Sequence, residues 1–324
     1  MGNDKILDFE QIAENCLIFR DGKTRSSLVK LSALDDKFNQ NELVAIYNYI
    51  LGVSKKSEIL MHIIHLSDRF RDKLVLDALI DILLMRNLKN STNREKEAFI
   101  NVRVMATKAI ANLKDTLAVT PLLYCLNNKD ENYKIRLACA DALGKIGDRF
   151  AVAPLIEVMK DEDEKSVYLR ESAASALGML GDIRAVDSLV GILEGQKGIW
   201  SKFTFLKERV IEALSKMRVD DDERVFKAFK NSLLDESPQI RINAIEALME
   251  MENPKSVDII KDCLKDSDNE VKKNALIALY NLTGRKILDE VIADIQYSDY
   301  LKMEAVSLID EYENDGSDDE DCDD

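Results

Sequence analysis

Counted from Arg136, the residues at +3, +4, +6, +7 and +10 are all small or apolar: Cys139, Ala140, Ala142, Leu143 and Ile146. Positions at those spacings share one face of a helix, because 3.6 residues complete a turn. The same offsets from Arg170 return Ala173, Ala174, Ala176, Leu177 and Leu180, and from Arg241 they return Ala244, Ile245, Ala247, Leu248 and Met251. Looser copies begin at Arg103, Lys207 and Lys272, with a half copy at Lys302, so successive anchors lie 30–37 residues apart. A period of that size predicts a repeat architecture. Between the anchors run shorter helical phrases, among them LAVTPLLYCL, FAVAPLIEVM and RAVDSLVGIL. Each repeat is therefore a helix pair. Pro121 and Pro154 fall in the first turn of the shorter helix, where a missing N–H costs little. One pair cannot bury its apolar face alone, so the copies are expected to stack into a continuous core.

Composition agrees with helix and excludes several other classes. Four prolines and twelve glycines in 324 residues sit beside abundant Ala, Leu, Ile, Lys and Glu, which favour helix over strand. Residues 1–99 show the same alternation in phrases such as NELVAIYNYILG and SEILMHIIHL, and are read as degenerate N-terminal repeats or a cap; a separate small helical domain is the alternative. The array proper spans 100–312, and 313–324 is a separate acidic tail. That tail, ENDGSDDEDCDD, holds eight of the acids behind the net charge of −15 and no base, a composition that predicts disorder. With no apolar leader at the N-terminus and no apolar run long enough to span a bilayer, the expected setting is soluble and cytoplasmic. The acidic balance, without a basic stripe, argues against nucleic acid.

The phrase carried by Ile135 to Met159 and Leu169 to Leu193 resembles the HEAT-type repeat of the subclass named after phycobilisome lyases. The resemblance covers about residues 100–312 and implies an all-α fold, an α-α superhelix in which antiparallel helix pairs form a right-handed stack. It also implies a polar ladder, in which the aspartate of one inter-helix turn meets the cation of the next repeat. Carried over, that ladder is Asp115 with Arg136, Asp148 with Arg170, and Asp182 with Lys207. Toward the C-terminus Asn253 and Gly284 stand at the aspartate position, so the last repeats are expected to rest mainly on packing.

Candidate chemistry is sparse. The five cysteines are scattered and never form a CxxC pair, which gives no zinc or redox signature. His62 and His65 share a helix face at i, i+3 but are followed by Ile63 and Leu66, unlike the paired His-Glu motifs that hold iron in HEAT-like deoxyhypusine hydroxylases. No catalytic residue, cofactor or metal is expected. The sequence reads as a non-catalytic protein-binding scaffold or assembly factor; the alternative is a phycobilin lyase subunit or lyase-related chaperone. Two places depart from the repeat. Long loops occupy 86–101 and 194–207, and the second holds Trp200, Phe203 and Phe205, aromatic residues of the kind that anchor interfaces. A concave line at the +5 positions, Asp141, Ser175, Glu212 and Glu246, would suit a partner peptide of modest positive charge.

Overall fold

A computed structural model describes residues 12, 32, 34, 36–85, 96, 97, 99–164, 166–195, 204–219 and 221–315, the last four of these by backbone alone. Among them the chain is all-α, with no strand, and it divides into two compact units at Leu180 and Gly181. The first holds α1 (Gln40–Val53), α2 (Ser57–Asp68), α3 (Leu76–Leu83), α4 (Ile100–Leu113), α5 (Val119–Asn127), α6 (Tyr133–Ile146), α7 (Val152–Lys160) and α8 (Val167–Leu180). The second holds α9 (Val186–Glu194), α10 (Thr204–Lys216), α11 (Glu223–Ser232), α12 (Pro238–Glu250), α13 (Lys255–Cys263), α14 (Asn269–Thr283), α15 (Lys286–Ala293) and α16 (Asp299–Asp315).

From α3 onward the odd-numbered helices are the shorter partners, and from α4 onward the even-numbered helices carry the anchors. In the first unit α2, α4, α6 and α8 pack side by side, as do α10, α12, α14 and α16 in the second. The apolar offsets form the seam between them. Ala140, Ala142, Leu143, Ala173, Ala174, Ala176 and Leu177 are at most 1% exposed in the first unit, and Ala244, Ile245 and Leu248 are fully buried in the second. Small residues at the +3 and +6 positions let backbones approach within the usual interaxial range of about 8–10 Å.

The corner between repeats has its own local cause. Gly147 closes α6 in the left-handed region at φ 83°, the conformation glycine adopts without a Cβ penalty. Asp148 follows, and its carboxylate accepts the Phe150 N–H at 2.9 Å, capping a 3-10 turn that leads into α7. Asp72, Asp115 and Asp182 repeat this cap on Leu74, Leu117 and Arg184. Arg71 and Lys114 accept the left-handed position that Gly147 and Gly181 fill more easily. Replacing Asp148 by alanine should lower stability by about 1 kcal/mol, the usual cost of a lost cap. A urea titration of the full chain checks this, and an unchanged midpoint would remove the cap from the account.

The corner at 72 has the same local form as the later ones. Twelve residues before Asp72 stands Leu60, and its +3, +4, +6 and +7 positions, Ile63, Ile64, Leu66 and Ser67, are all buried. Thus α2 and α3 follow the same geometry as the later copies, with leucine in place of the anchoring cation.

The polar ladder runs between other partners than the resemblance implies. The Arg136 guanidinium donates to the Leu126 carbonyl at 2.8 Å and to Glu164 at 2.6 Å, not to Asp115. Asp115 instead pairs with Lys73 at 2.8 Å, which with the cap holds its carboxyl below the usual range. Arg103 likewise donates to the Leu83 carbonyl and, through both terminal nitrogens, to Glu131. Lys207 reaches Asp235 at 2.5 Å rather than Asp182, and Arg241 forks onto Asp266 at 2.8 and 2.9 Å. Asp148 is used by its own cap rather than by Arg170, whose terminal nitrogen donates to the Glu164 carbonyl at 3.1 Å.

The physical reason lies in helix ends. The last carbonyls of the shorter helix lack intrahelical donors and sit at the negative end of the helix dipole. An anchor cation on the following helix can satisfy them and still reach the acid that precedes the next long helix. The aspartates are held at the opposite edge of the pair, capping a helix start. The arrangement runs as far as Arg241 and then thins, since Lys272 donates only to Asn269 on its own helix. Asn253 caps the Lys255 N–H at 3.0 Å, and the Arg241 and Asp266 pair is bidentate.

Candidate functional site

The even-numbered helices present their +5 positions outside the core seam, and in each unit two of them frame a groove. In the second unit α10 and α12 enclose about 380 Å³. Ile211 and Ala247 form its floor, while Glu208, Glu212, Glu246 and Glu250 face it with Arg209 and Lys216. Four carboxylates against two cations leave the groove negative. Helix spacing explains the gathering: Glu208 and Glu212 are one turn apart on α10, as are Glu246 and Glu250 on α12.

The carboxylates are not equivalent. Glu212 is held below the usual carboxylate range, first by its hydrogen bond from Lys216 and then by that from Arg209, each 2.6 Å long. Glu246 is pushed above that range by partial desolvation in the groove and by Glu250 one turn on. The negative charge on α12 therefore lacks the compensation that α10 supplies within itself. A cationic side chain entering the groove would relieve the repulsion between Glu246 and Glu250.

The remaining sequence candidates fall in different places. Asp141 and Ser175 are half-buried on α6 and α8 of the first unit. Asp141 accepts the Ser172 hydroxyl, so part of its acceptor capacity is used between neighbouring helices. Phe205 stands at the start of α10 with 69% of its surface exposed. Trp200 and Phe203 lie outside the described residues, as do most of the loop from 86 and the tail from 316.

The described histidine and cysteine side chains have the following surroundings. Glu58 stands one turn before His62, and His62 meets the Ser32 hydroxyl at 3.1 Å. Among the described residues no cluster of three His, Cys, Asp or Glu side chains is placed to hold a metal ion. Cys139 is fully buried, its thiol pushed up by a hydrogen bond with Cys125 and by desolvation, while the same bond lowers Cys125, itself 1% exposed. Burial raises Cys263 to about 11. A nucleophilic cysteine needs both a stabilised thiolate and access, and none of these three has both. No helix among the described residues is long and apolar enough to cross a membrane.

Stacked helix pairs, several of them tied within their unit through an anchor cation, place the chain in the all-α class of solenoid repeat proteins. The model of the HEAT repeats family matches residues 93–167, 129–199, 203–280 and 226–305, more than half of the chain. The chain belongs to that family. Among solved structures it is similar to the karyopherin Kap121p bound to the SUMO protease Ulp1p, at 11% identity and a TM-score of 0.52 over 93% of this chain and 37% of that one. It is also similar to the CpcE and CpcF complex of phycocyanin lyase from Nostoc sp. PCC7120, at 22% identity and a TM-score of 0.43 over 73% of this chain and 94% of that one. An archaeal HEAT-like repeats protein from Thermococcus onnurineus NA1 is similar at 17% identity and a TM-score of 0.42, over 74% of this chain and 97% of that one. Comparison with curated protein sequences gives no match.

Proposed function

We propose that the chain is a non-catalytic adaptor that holds a protein partner, and that the groove between α10 and α12 receives a basic segment of that partner. The observation that carries this reading is the convergence of Glu208, Glu212, Glu246 and Glu250 over an apolar floor. The carboxylates set sign and orientation, while Ile211 and Ala247 offer a small apolar contact. The fold points the same way: the Kap121p structure to which the chain is similar is a complex with a protein, Ulp1p. Trp200, Phe203 and Phe205 serve in this reading as additional aromatic anchors.

A labelled peptide of arginine and leucine tests the groove. The full chain should bind it, and Glu246→Gln combined with Glu250→Gln should weaken binding by about 1–2 kcal/mol, the sum expected for two partly exposed charges. Fluorescence anisotropy at fixed ionic strength reads the difference. Equal affinity for the wild type and the double variant would sink the assignment of this groove.

A further inference from the structure

We infer that the first unit carries a second docking surface of opposite sign, the groove between α4 and α6, which takes an acidic peptide segment containing apolar residues. This goes beyond the reading above and does not depend on it, since none of the same residues is used. The groove encloses about 300 Å³ over a floor that includes Val104, Leu137 and Ala138. Lys108, Lys134 and Lys145 line it, against the single carboxylate of Asp141.

Several other cations of the unit are already paired. Lys73 pairs with Asp115, Arg103 with Glu131, Lys129 with Asp161 and Arg136 with Glu164. The ammonium groups of Lys108, Lys134 and Lys145 make no ion pair or hydrogen bond with any described residue, although the whole chain carries a net charge of −15. Asp141, the one acid on hand, accepts the Ser172 hydroxyl from α8. The result is a local excess of positive charge over an apolar floor on a strongly acidic chain.

Helix register accounts for the arrangement. Lys108 stands five residues after Arg103, the same position that Glu212 and Glu246 hold relative to Lys207 and Arg241. Lys134 and Lys145 are separated by three turns of α6, so they bracket the groove along its length. Cations spaced around an apolar floor match a peptide whose carboxylates flank an aliphatic side chain, the floor providing burial and the rim providing orientation and encounter rate. An extended polyanion such as RNA fits less well, because its affinity rests on many neutralised phosphates and the rest of this chain repels it. The chain's own segment from Glu313 to Asp324 has the charge but no Leu, Ile, Val, Met or Phe to fill the floor. The occupant proposed is a segment of another protein.

The test uses the full chain and a short labelled peptide of glutamate and leucine, read by fluorescence anisotropy. Binding should weaken with added salt, and Lys108→Glu, Lys134→Glu and Lys145→Glu together should lower affinity at least about tenfold. The three side chains are exposed, so the thermal melt of the variant should match the wild type. Glu246→Gln with Glu250→Gln should leave this affinity unchanged, which separates this surface from the one in the second unit. No binding by the wild type, or equal binding by the triple lysine variant, would overturn the proposal. So would displacement by oligouridylate as effective as by unlabelled peptide, which marks a general polyanion surface. Tighter peptide binding after Asp318→Asn, Asp319→Asn, Glu320→Gln and Asp321→Asn would show that the chain's own tail occupies the groove, and would overturn the choice of an outside partner.

Discussion

Arg136→Ala should cost the first unit about 3–5 kcal/mol, the usual penalty for removing one member of a buried ion pair. The Arg136 and Glu164 side chains are only 5% and 7% exposed. Truncation leaves the carboxylate desolvated with the Ser166 N–H as its remaining donor, and it leaves the Leu126 carbonyl without the Nε donor. A urea titration should show an earlier transition in the variant, and amide exchange should place the loss in α5, α6 and the start of α8. The double variant Arg136→Met with Glu164→Leu should recover much of the stability, because two apolar side chains leave no charge to desolvate. A single variant as stable as the wild type would show that the pair contributes nothing net.

The second large effect concerns Gly144, and its glycine-to-alanine change should differ in sign from the same change at Gly191. A Cβ built on Gly144 would lie 2.8 Å from the Ala176 Cα and 2.7 Å from the Met179 Cε. The methionine can swing aside, but the backbone of α8 cannot move without parting the seam that α6 and α8 share. Gly144→Ala should therefore destabilise by about 1–3 kcal/mol despite the better helix propensity of alanine. Gly191, on α9, has open space around its Cβ position. Gly191→Ala should raise stability by up to about 1 kcal/mol through the reduced entropy of the unfolded chain. Thermal melts of both variants check the pair, and a stabilising Gly144→Ala would mean that the helices are not in close contact there.

Helix positions were legible in the chain because the core offsets are enforced by burial, which tolerates few residue types. The anchors at Arg103, Arg136, Lys207 and Arg241 were visible for the same reason, but their partners were not. Asp115, Asp148 and Asp182 stand out because each ends a helical phrase, yet that prominence reflects capping. The true partners Glu131, Glu164, Asp235 and Asp266 sit in charged turns, where one acid among several carries no distinguishing neighbour. Leu60 stands where the later copies carry a cation, so residues 1–99 read only as degenerate copies, with Asp72 and the buried offsets marking the frame. The +5 line was identified as a surface, but its sign depends on which residues are already paired. Asp141 is engaged by Ser172, and the same +5 offset on α4 holds a cation, Lys108.

The rungs also constrain how such a chain can lengthen or shorten. Each joins an anchor to an acid 25 or 28 residues later, across a repeat boundary. Removing one full period brings the preceding anchor into the place of the lost one, where it meets the next acid in turn. Removing a single helix breaks the count and strands a buried guanidinium without a carboxylate, at a cost that no adjustment of the seam offsets. Whole helix pairs are thus the expected unit by which such a chain can gain or lose length, set by buried electrostatics as much as by the apolar face.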